Sequence, residues 1–388
     1  MRKAVSLGLG PCCKDLFYFP QRRTPHGGIM ARCGQHRHTQ LSFPIMDDHK
    51  RLDFIHALPK VELHVHLEGA IAPERLLMLG RRNGIALPYD TVAQVRAAHA
   101  FSNLDEFLGH FGAVCSVLNT SEDFADAVLD LGADARRQNI HYREVMFTLA
   151  QHQRRGIPLE AVVAGLQIGR QRCREQHGVE IAFIADIDRT MSAAEARAMV
   201  DSLATFSLSA GVVAVGMDGQ EVGISPATHR DAFLRARELG FHTTAHLGWD
   251  EDPEAIWEAL DALPLERIDH GLRAVEDPRL IDVLVQRQIP LTLCPLSSLA
   301  VEPGRYPDLA AHPLREMWRR GAAVTLNSDD PMMIGQDLLA NYIDVARAYH
   351  LQRDDLVRLA GNGMRAAFVP EHLKREWLQQ LDRYAAPS

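Results

Sequence analysis

The chain has 388 residues, of which 46% are hydrophobic and 24% charged, enough for one large soluble domain or two ordinary ones. Its net charge is −8 and uneven: residues 1–46 hold seven Lys/Arg and one acid, Asp15, leaving 35 bases against 49 acids in the rest. An acidic body of that kind argues against a phosphate-tracking surface for nucleic acid, and no apolar run approaches the length of a membrane-spanning helix.

Residues 1–46 read as a disordered extension or a start assigned too early, since Met30 and Met46 lie downstream. Arg2 and Lys3 precede a short apolar stretch, Ala4 to Leu9, but it is brief for a signal peptide and lacks a clear small-residue cleavage site. Cys33, His36 and His38 cluster here without a spacing that fixes metal geometry. With Cys12, Cys13, Cys115, Cys173 and Cys294, Cys33 completes a sparse, unpaired set of six cysteines. Reduced thiols in a cytoplasmic protein are the expectation.

From Asp47 onward strand-like runs alternate with helix-like ones. Strands are predicted at 61–67, 140–147, 180–187, 212–217, 242–246, 267–270, 289–293 and 322–327. Helices are predicted at 192–206, 229–239, 252–260, 278–287 and 313–320. Eight strands in such alternation predict an α/β fold, a (β/α)8 TIM barrel spanning residues 47–388. The mostly helical stretch 73–132 is an insertion after the first strand, expected over one mouth of the barrel. A tail helix at 370–384 closes the chain. An open doubly wound sheet is the rival, but no Gly-rich phosphate loop follows the first strand.

Chemistry concentrates at the C-terminal ends of these strands. In Leu63-His64-Val65-His66-Leu67 the two histidines project to one side of a strand. His246 ends strand five, His270 ends strand six, and Asp329-Asp330 end strand eight. Barrel enzymes build their sites at these ends. Three imidazoles and a carboxylate suit one Zn²⁺ per chain, held by His64, His66, His246 and Asp329. His270 is expected to steer or deprotonate the attacking water, and Asp330 to face substrate or, alternatively, to cap the following helix. Asp269 reads as an exposed strand-end acid.

The segments Pro59-Lys60-Val61-Glu62-Leu63-His64-Val65-His66-Leu67-Glu68-Gly69, Arg267-Ile268-Asp269-His270-Gly271, Cys294-Pro295-Leu296-Ser297-Ser298 and Asn327-Ser328-Asp329-Asp330-Pro331 resemble, in order, the motifs of the adenosine and adenine deaminases of the amidohydrolase superfamily. Glu68, Asp269 and the segment from Gly216 to Gly223 are similar to the adenine branch. The resemblance implies water activated by zinc, attack at C6 of an aminopurine, and loss of ammonia. It also implies that Asp330 holds N7, and that Glu68 and the backbone around Gly219 face the substrate.

The family's proton donor closes a His-Ala-Gly-Glu motif. Here the residues are His246-Leu247-Gly248-Trp249, so Trp249 fills the glutamate position. Tryptophan donates a hydrogen bond and cannot relay a proton. A one-residue slip would bring Asp250 into register as a substitute acid, and Glu251 follows it. Thr148-Leu149-Ala150 and Ser298 also depart from the adenine pattern.

The expectation is therefore a zinc-dependent deaminase-type hydrolase with a purine-like small-molecule substrate. Its alternatives are hydrolysis of a different C–N bond, or non-catalytic binding of a purine-like ligand. His66-Leu67-Glu68 also matches the H-x-E of nucleic-acid deaminases, but no C-x-x-C completes that site.

Overall fold

A computed structural model describes residues 47–206 and 210–386. The 1–46 segment, with Cys33, His36 and His38, lies outside the described residues. The strands are β1 (Lys60–His66), β2 (Ile140–Phe147), β3 (Glu180–Asp188), β4 (Val212–Asp218), β5 (His242–Thr243), β6 (His246–Leu247), β7 (Ile268–His270), β8 (Leu291–Leu293) and β9 (Val324–Leu326). All pair in parallel, in the orders β1-β2-β3-β4-β5 and β6-β7-β8-β9.

Two links join these sheets into a (β/α)8 barrel. The first is the fifth predicted strand, which is split into β5 and β6. Thr244 N donates to Val215 O on one side at 3.2 Å, and Ala245 O accepts from Asp269 N on the other at 2.8 Å. The strand changes bonding partner there, which breaks the ladder. The second link joins the end of the barrel to its start. His66 N donates to Asp329 O at 2.8 Å, and Asp329 N donates to His64 O at 3.1 Å.

The outer helices show why these sequences fold as they do. In the helix Pro278–Arg287, Asp277 caps the first turn by accepting from Arg279 N at 3.0 Å, and proline occupies the first helical position. Leu280, Ile281 and Leu284 fall on one face and are buried. Each such side chain contributes about 1.5–3 kcal/mol of burial. Gln288, in left-handed backbone with φ 54°, ends the helix.

The insertion forms helices Pro73–Arg82, Val92–Ala97, Leu104–Cys115 and Ser121–Arg137. In Leu104–Cys115, Asn103 caps Glu106 N at 3.0 Å, while the Glu106 carboxylate reaches back to Ser102 N at 2.9 Å. Leu104, Phe107, Leu108 and Phe111 follow the 3.6-residue period on one face, and that face forms a wall of the cavity described below.

A buried ion network fixes the turn after β9. Arg143 Nε donates to Glu62 Oε2 at 2.6 Å, and Glu62 Oε1 accepts from Ser328 N at 3.1 Å and Ser328 Oγ at 2.6 Å. Asn327 Oδ1 accepts from Leu63 N at 2.9 Å. These bonds tie the Asn327-Ser328-Asp329 turn to the strand that carries the two histidines. No helix among the described residues is long and apolar enough to cross a membrane.

Candidate metal centre

His64 and His66 leave one face of β1, His246 opens β6, His270 closes β7, and Asp329 and Asp330 follow β9. His64 Nε2 lies 3.1 Å from Asp329 Oδ1, and His66 Nε2 lies 3.4 Å from the same oxygen. His66 Nε2 is 3.2 Å from His246 Nε2. One donor atom from each of His64, His66, His246 and Asp329 falls within 4.8 Å of the others.

The outer ring nitrogens decide what this set can hold. Thr292 Oγ1 donates to Asp269 Oδ1 at 2.6 Å, so it accepts from His64 Nδ1–H at 3.0 Å. His246 Nδ1 faces the carbonyl of Met217 at 3.1 Å, a group that only accepts. In its neutral form each imidazole would therefore carry its proton on Nδ1 and turn a lone pair inward at Nε2. One lone pair meets a carboxylate and the other meets a second imidazole. Such an arrangement repels itself unless a proton or a cation lies among the donors. Three imidazoles and a carboxylate are a transition-metal donor set, and the residues fit a metal ion.

Asp269 corrects the sequence reading. It is fully buried, not exposed, and accepts from Thr244 Oγ1 and Thr292 Oγ1, each at 2.6 Å. Through Thr292 it fixes the tautomer of His64, as carboxylates behind metal-facing histidines do. Ser297 Oγ donates to Asp329 Oδ2 at 2.7 Å and orients that carboxylate. His270 and Asp329 both adopt left-handed backbone, with φ 61° and 66°. Non-glycine residues hold that conformation at a cost, and only where the surroundings over-determine it.

A cavity of about 330 Å³ opens above these residues, within the range of small-molecule pockets. His66, His246, His270 and Asp329 line its base. Trp249 lines its side, with 6% of its surface exposed. Its ring meets the His270 ring edge-on, with centroids 4.6 Å apart and planes at 73°. Trp249 Nε1 is buried and has no hydrogen-bond partner among the described residues. Asp330 and Gly219 also line the cavity. Asp330 makes no side-chain cap to the helix it precedes, so the capping alternative fails.

Four other residues singled out in the sequence stand elsewhere. Asp250 is not in the cavity wall, and its carboxylate lies 3.8 Å from Arg305 Nη1, so the substitute-acid position is not realised. The Glu251 carboxylate accepts from Gly223 N at 2.7 Å. Glu68 is buried outside the cavity lining, with Oε1 2.7 Å from His152 Nε2. Ser298 Oγ donates to Cys294 O at 3.2 Å, closing a helical turn.

Other groups had no role assigned from sequence. Thr148 donates to Asp218 in the cavity wall. Glu221, also in the wall, accepts from three consecutive backbone N–H groups at 249–251. Arg189, fully buried, donates to His246 O. The segment from Gly216 to Gly223 contains Asp218 and Glu221, so its position was legible but the individual contacts were not.

Electrostatics separate the neighbouring carboxyls. Burial pushes the Asp329 carboxyl up, but His64 and the other imidazoles outweigh it and hold it well below the usual range. Burial and the adjacent Asp329 charge push Asp330 well above that range. Burial raises Asp218 to about 7 despite the Thr148 hydrogen bond. Burial, with His64 close by, lowers His270 to about 3, leaving it neutral at pH 7.

This geometry matches known proteins. Residues 59–384 match the family model described as adenosine deaminase. An adenine deaminase of Sphingopyxis alaskensis is 40% identical over 336 residues, 87% of this chain and 97% of that protein. The crystal structure of an adenine deaminase from Arthrobacter aurescens superposes with a TM-score of 0.80 at 34% identity, covering 84% of this chain and 99% of that one. An amidohydrolase from Burkholderia ambifaria, solved with bound Zn, superposes with a TM-score of 0.79 at 26% identity, covering 89% of this chain and 96% of that one. The chain thus belongs to the adenosine deaminase family.

Proposed function

We propose that the protein is a cytoplasmic, zinc-dependent hydrolase that removes ammonia from an amino-substituted heterocycle of the purine type. One zinc ion per chain would be held by His64, His66, His246 and Asp329. The observation that carries this reading is the inward convergence of the His64 and His246 lone pairs with His66 and the Asp329 carboxylate at the base of a cavity. Relatives named adenine deaminase and a Zn-bound neighbour support it. The free, buried thiols of Cys115, Cys173 and Cys294 accord with a reducing compartment.

When bound, the metal supplies Lewis acidity, which brings water towards ionisation near neutral pH. The chain's residues do the rest. His270, kept neutral by burial, accepts a proton from water at a ring nitrogen and returns it to the departing amine. Asp330, whose carboxyl is pushed well above its usual range by burial and the adjacent Asp329 charge, faces a ring nitrogen of the substrate. Glu68 supports the substrate wall from behind, and Gly219 presents its backbone to the ring. The apolar face of the helix Leu104–Cys115 excludes water from the bound ring.

Adenine deamination needs a proton at the ring nitrogen beside the reacting carbon, and Trp249 donates a hydrogen bond without giving up a proton. A second reading, hydrolysis of a different C–N bond at the same metal, is favoured by that residue alone. The test is ammonia release by zinc-loaded protein over a panel of aminopurines and related heterocycles, with His66→Ala as the inactive control. Silence across the panel counts against the deaminase reading. If Trp249→Glu raises adenine turnover while lowering activity on another substrate, the second reading is favoured.

A further inference from the structure

We infer that Arg155 is a positioning residue for the reaction: it ties the end of the helix Leu104–Cys115 to the turn that carries Glu68, with His152 as the link. The inference rests on the deaminase reading and adds a residue that sets the substrate side of the same site. Arg155 follows the short helix Leu149–Gln153 and stands three residues after His152, a spacing that brings the two side chains together. A guanidinium has five N–H donors, and each meets an acceptor here. Nη1 donates to Ser116 O at 3.0 Å and Asn119 Oδ1 at 2.9 Å. Nη2 donates to Leu118 O at 2.9 Å and His152 Nδ1 at 2.8 Å, and Nε to Gln151 O at 3.3 Å.

Three of these acceptors lie just past the C-terminal end of the helix whose apolar face walls the cavity. A helix end leaves carbonyls open, and a cation there also meets the negative end of the helix dipole. The same fork sets His152. A guanidinium only donates, so His152 Nδ1 accepts and the ring proton sits on Nε2. From there it is donated to Glu68 Oε1 at 2.7 Å. His152 and Glu68 are both fully buried. Glu68 Oε2 has no hydrogen-bond partner among the described residues, so the His152 bond fixes the rotation of the carboxyl group. An oxygen of that group accepts this bond whether the carboxyl is ionised or neutral, so the link does not depend on its charge.

Glu68 stands on the turn between the metal-facing histidines and Asp330. Ala70 N donates to His66 O at 3.1 Å, and Met332 N donates to Gly69 O at 3.0 Å. The space left by the missing Cβ of Gly69 holds the Asp330 carboxyl. Rotating Glu68 shifts this turn, and with it the group that faces the substrate. The orientation of the substrate thus depends on the wall helix being seated.

The experiment compares the metal-loaded protein with Arg155→Met, Arg155→Lys, His152→Leu and the double variant Arg155→Met/His152→Leu. Ammonia release is measured over adenine and the other aminopurines of the panel. Nitrogen-15 NMR of the labelled imidazoles reads the His152 tautomer, and amide exchange reads residues 67–70 and 104–119. The inference expects the Nε2–H tautomer in the unaltered protein and a mixture in Arg155→Met. Arg155→Met lowers kcat/KM about tenfold or more at unchanged metal content and speeds exchange in both segments. Arg155→Lys, which keeps the charge but not the planar fork, falls between and carries the same comparison if Arg155→Met does not fold. His152→Leu costs as much as Arg155→Met, and the double variant little more. Additive losses, or an Nδ1–H tautomer in the unaltered protein, overturn the inference and leave the deaminase reading standing. If no compound releases ammonia, the deaminase reading fails, and exchange decides the link: faster exchange at 67–70 in the Arg155 variant upholds it, and unchanged exchange there overturns it.

Discussion

Glu221 Oε2 lies 3.0 Å from the backbone nitrogen of Trp249 and also takes the N–H groups of Asp250 and Glu251, at 3.0 and 3.1 Å. One carboxylate oxygen thus anchors the turn that presents the indole to the cavity. Replacing it with alanine leaves three N–H groups without that acceptor. The expected loss for Glu221→Ala is about 1–3 kcal/mol of stability, together with a shift in tryptophan fluorescence. Glu221→Gln, which keeps an acceptor oxygen, falls between. Denaturation curves for the three proteins decide the matter, and coincident midpoints would remove Glu221 from this role.

Gly69 is the cradle of Asp330. A Cβ at residue 69 would lie 1.7 Å from Asp330 Oδ1 and 2.5 Å from its Cβ. Gly69→Ala therefore pushes the Asp330 side chain aside while leaving the four metal-facing donors in place. The expected result is a drop of about 10²-fold in kcat/KM with unchanged metal content. Because both changes act on one carboxyl, Gly69→Ala and Asp330→Ala should combine with less than additive effect. Full additivity would place the glycine's influence elsewhere.

Metal removal should cost stability, because the converging lone pairs and the Asp329 charge lose what balances them. Zinc present at about 100 times its Kd should add about 2.7 kcal/mol to unfolding over the metal-free protein. Asp329→Asn should lower metal content and erase most of that difference. A zinc-independent melting temperature with zinc present at saturating concentration would contradict the donor set.

His312 gives a pH signature remote from the metal. Burial lowers it to about 3, and its Nδ1 accepts from Leu314 N at 3.1 Å. The unfolded chain binds this proton near pH 6.5 and the folded chain only near 3. Its contribution is fully present above pH 6.5 and is lost progressively as pH falls through that window. His312→Asn, whose amide oxygen can take the same N–H, should flatten the acid limb of the stability curve. Parallel curves for the two proteins would show that His312 does not titrate in this way.

The barrel was legible because its strands alternate with helices, and the metal centre because His64, His66, His246, His270 and Asp329 all stand at strand ends. Trp249 was singled out by its position in a motif, and the structure places its indole in the cavity wall. Asp269 was misread because the acid beside His270 gives no sign in sequence that Thr244 and Thr292 converge on it from other strands. Asp250 follows Trp249 directly, yet the strand end aims it at Arg305. Glu221 lies 28 residues from the turn it anchors, a contact that chain order does not encode. For the insertion the sequence showed helical character and a place over one mouth of the barrel, but not which face of the helix Leu104–Cys115 looks into the cavity.

The apolar wall that Leu104, Phe107, Leu108 and Phe111 build belongs to the insertion, not to the barrel. The groups beneath it are set by strand ladders and buried ion pairs, whereas this wall is carried by a separate helix capped by its own residues. Entry and exit can thus be tuned without disturbing the groups that act on water. Solvent viscosity should slow turnover if helix displacement limits product escape, and amide exchange along residues 104–115 would report the same gate.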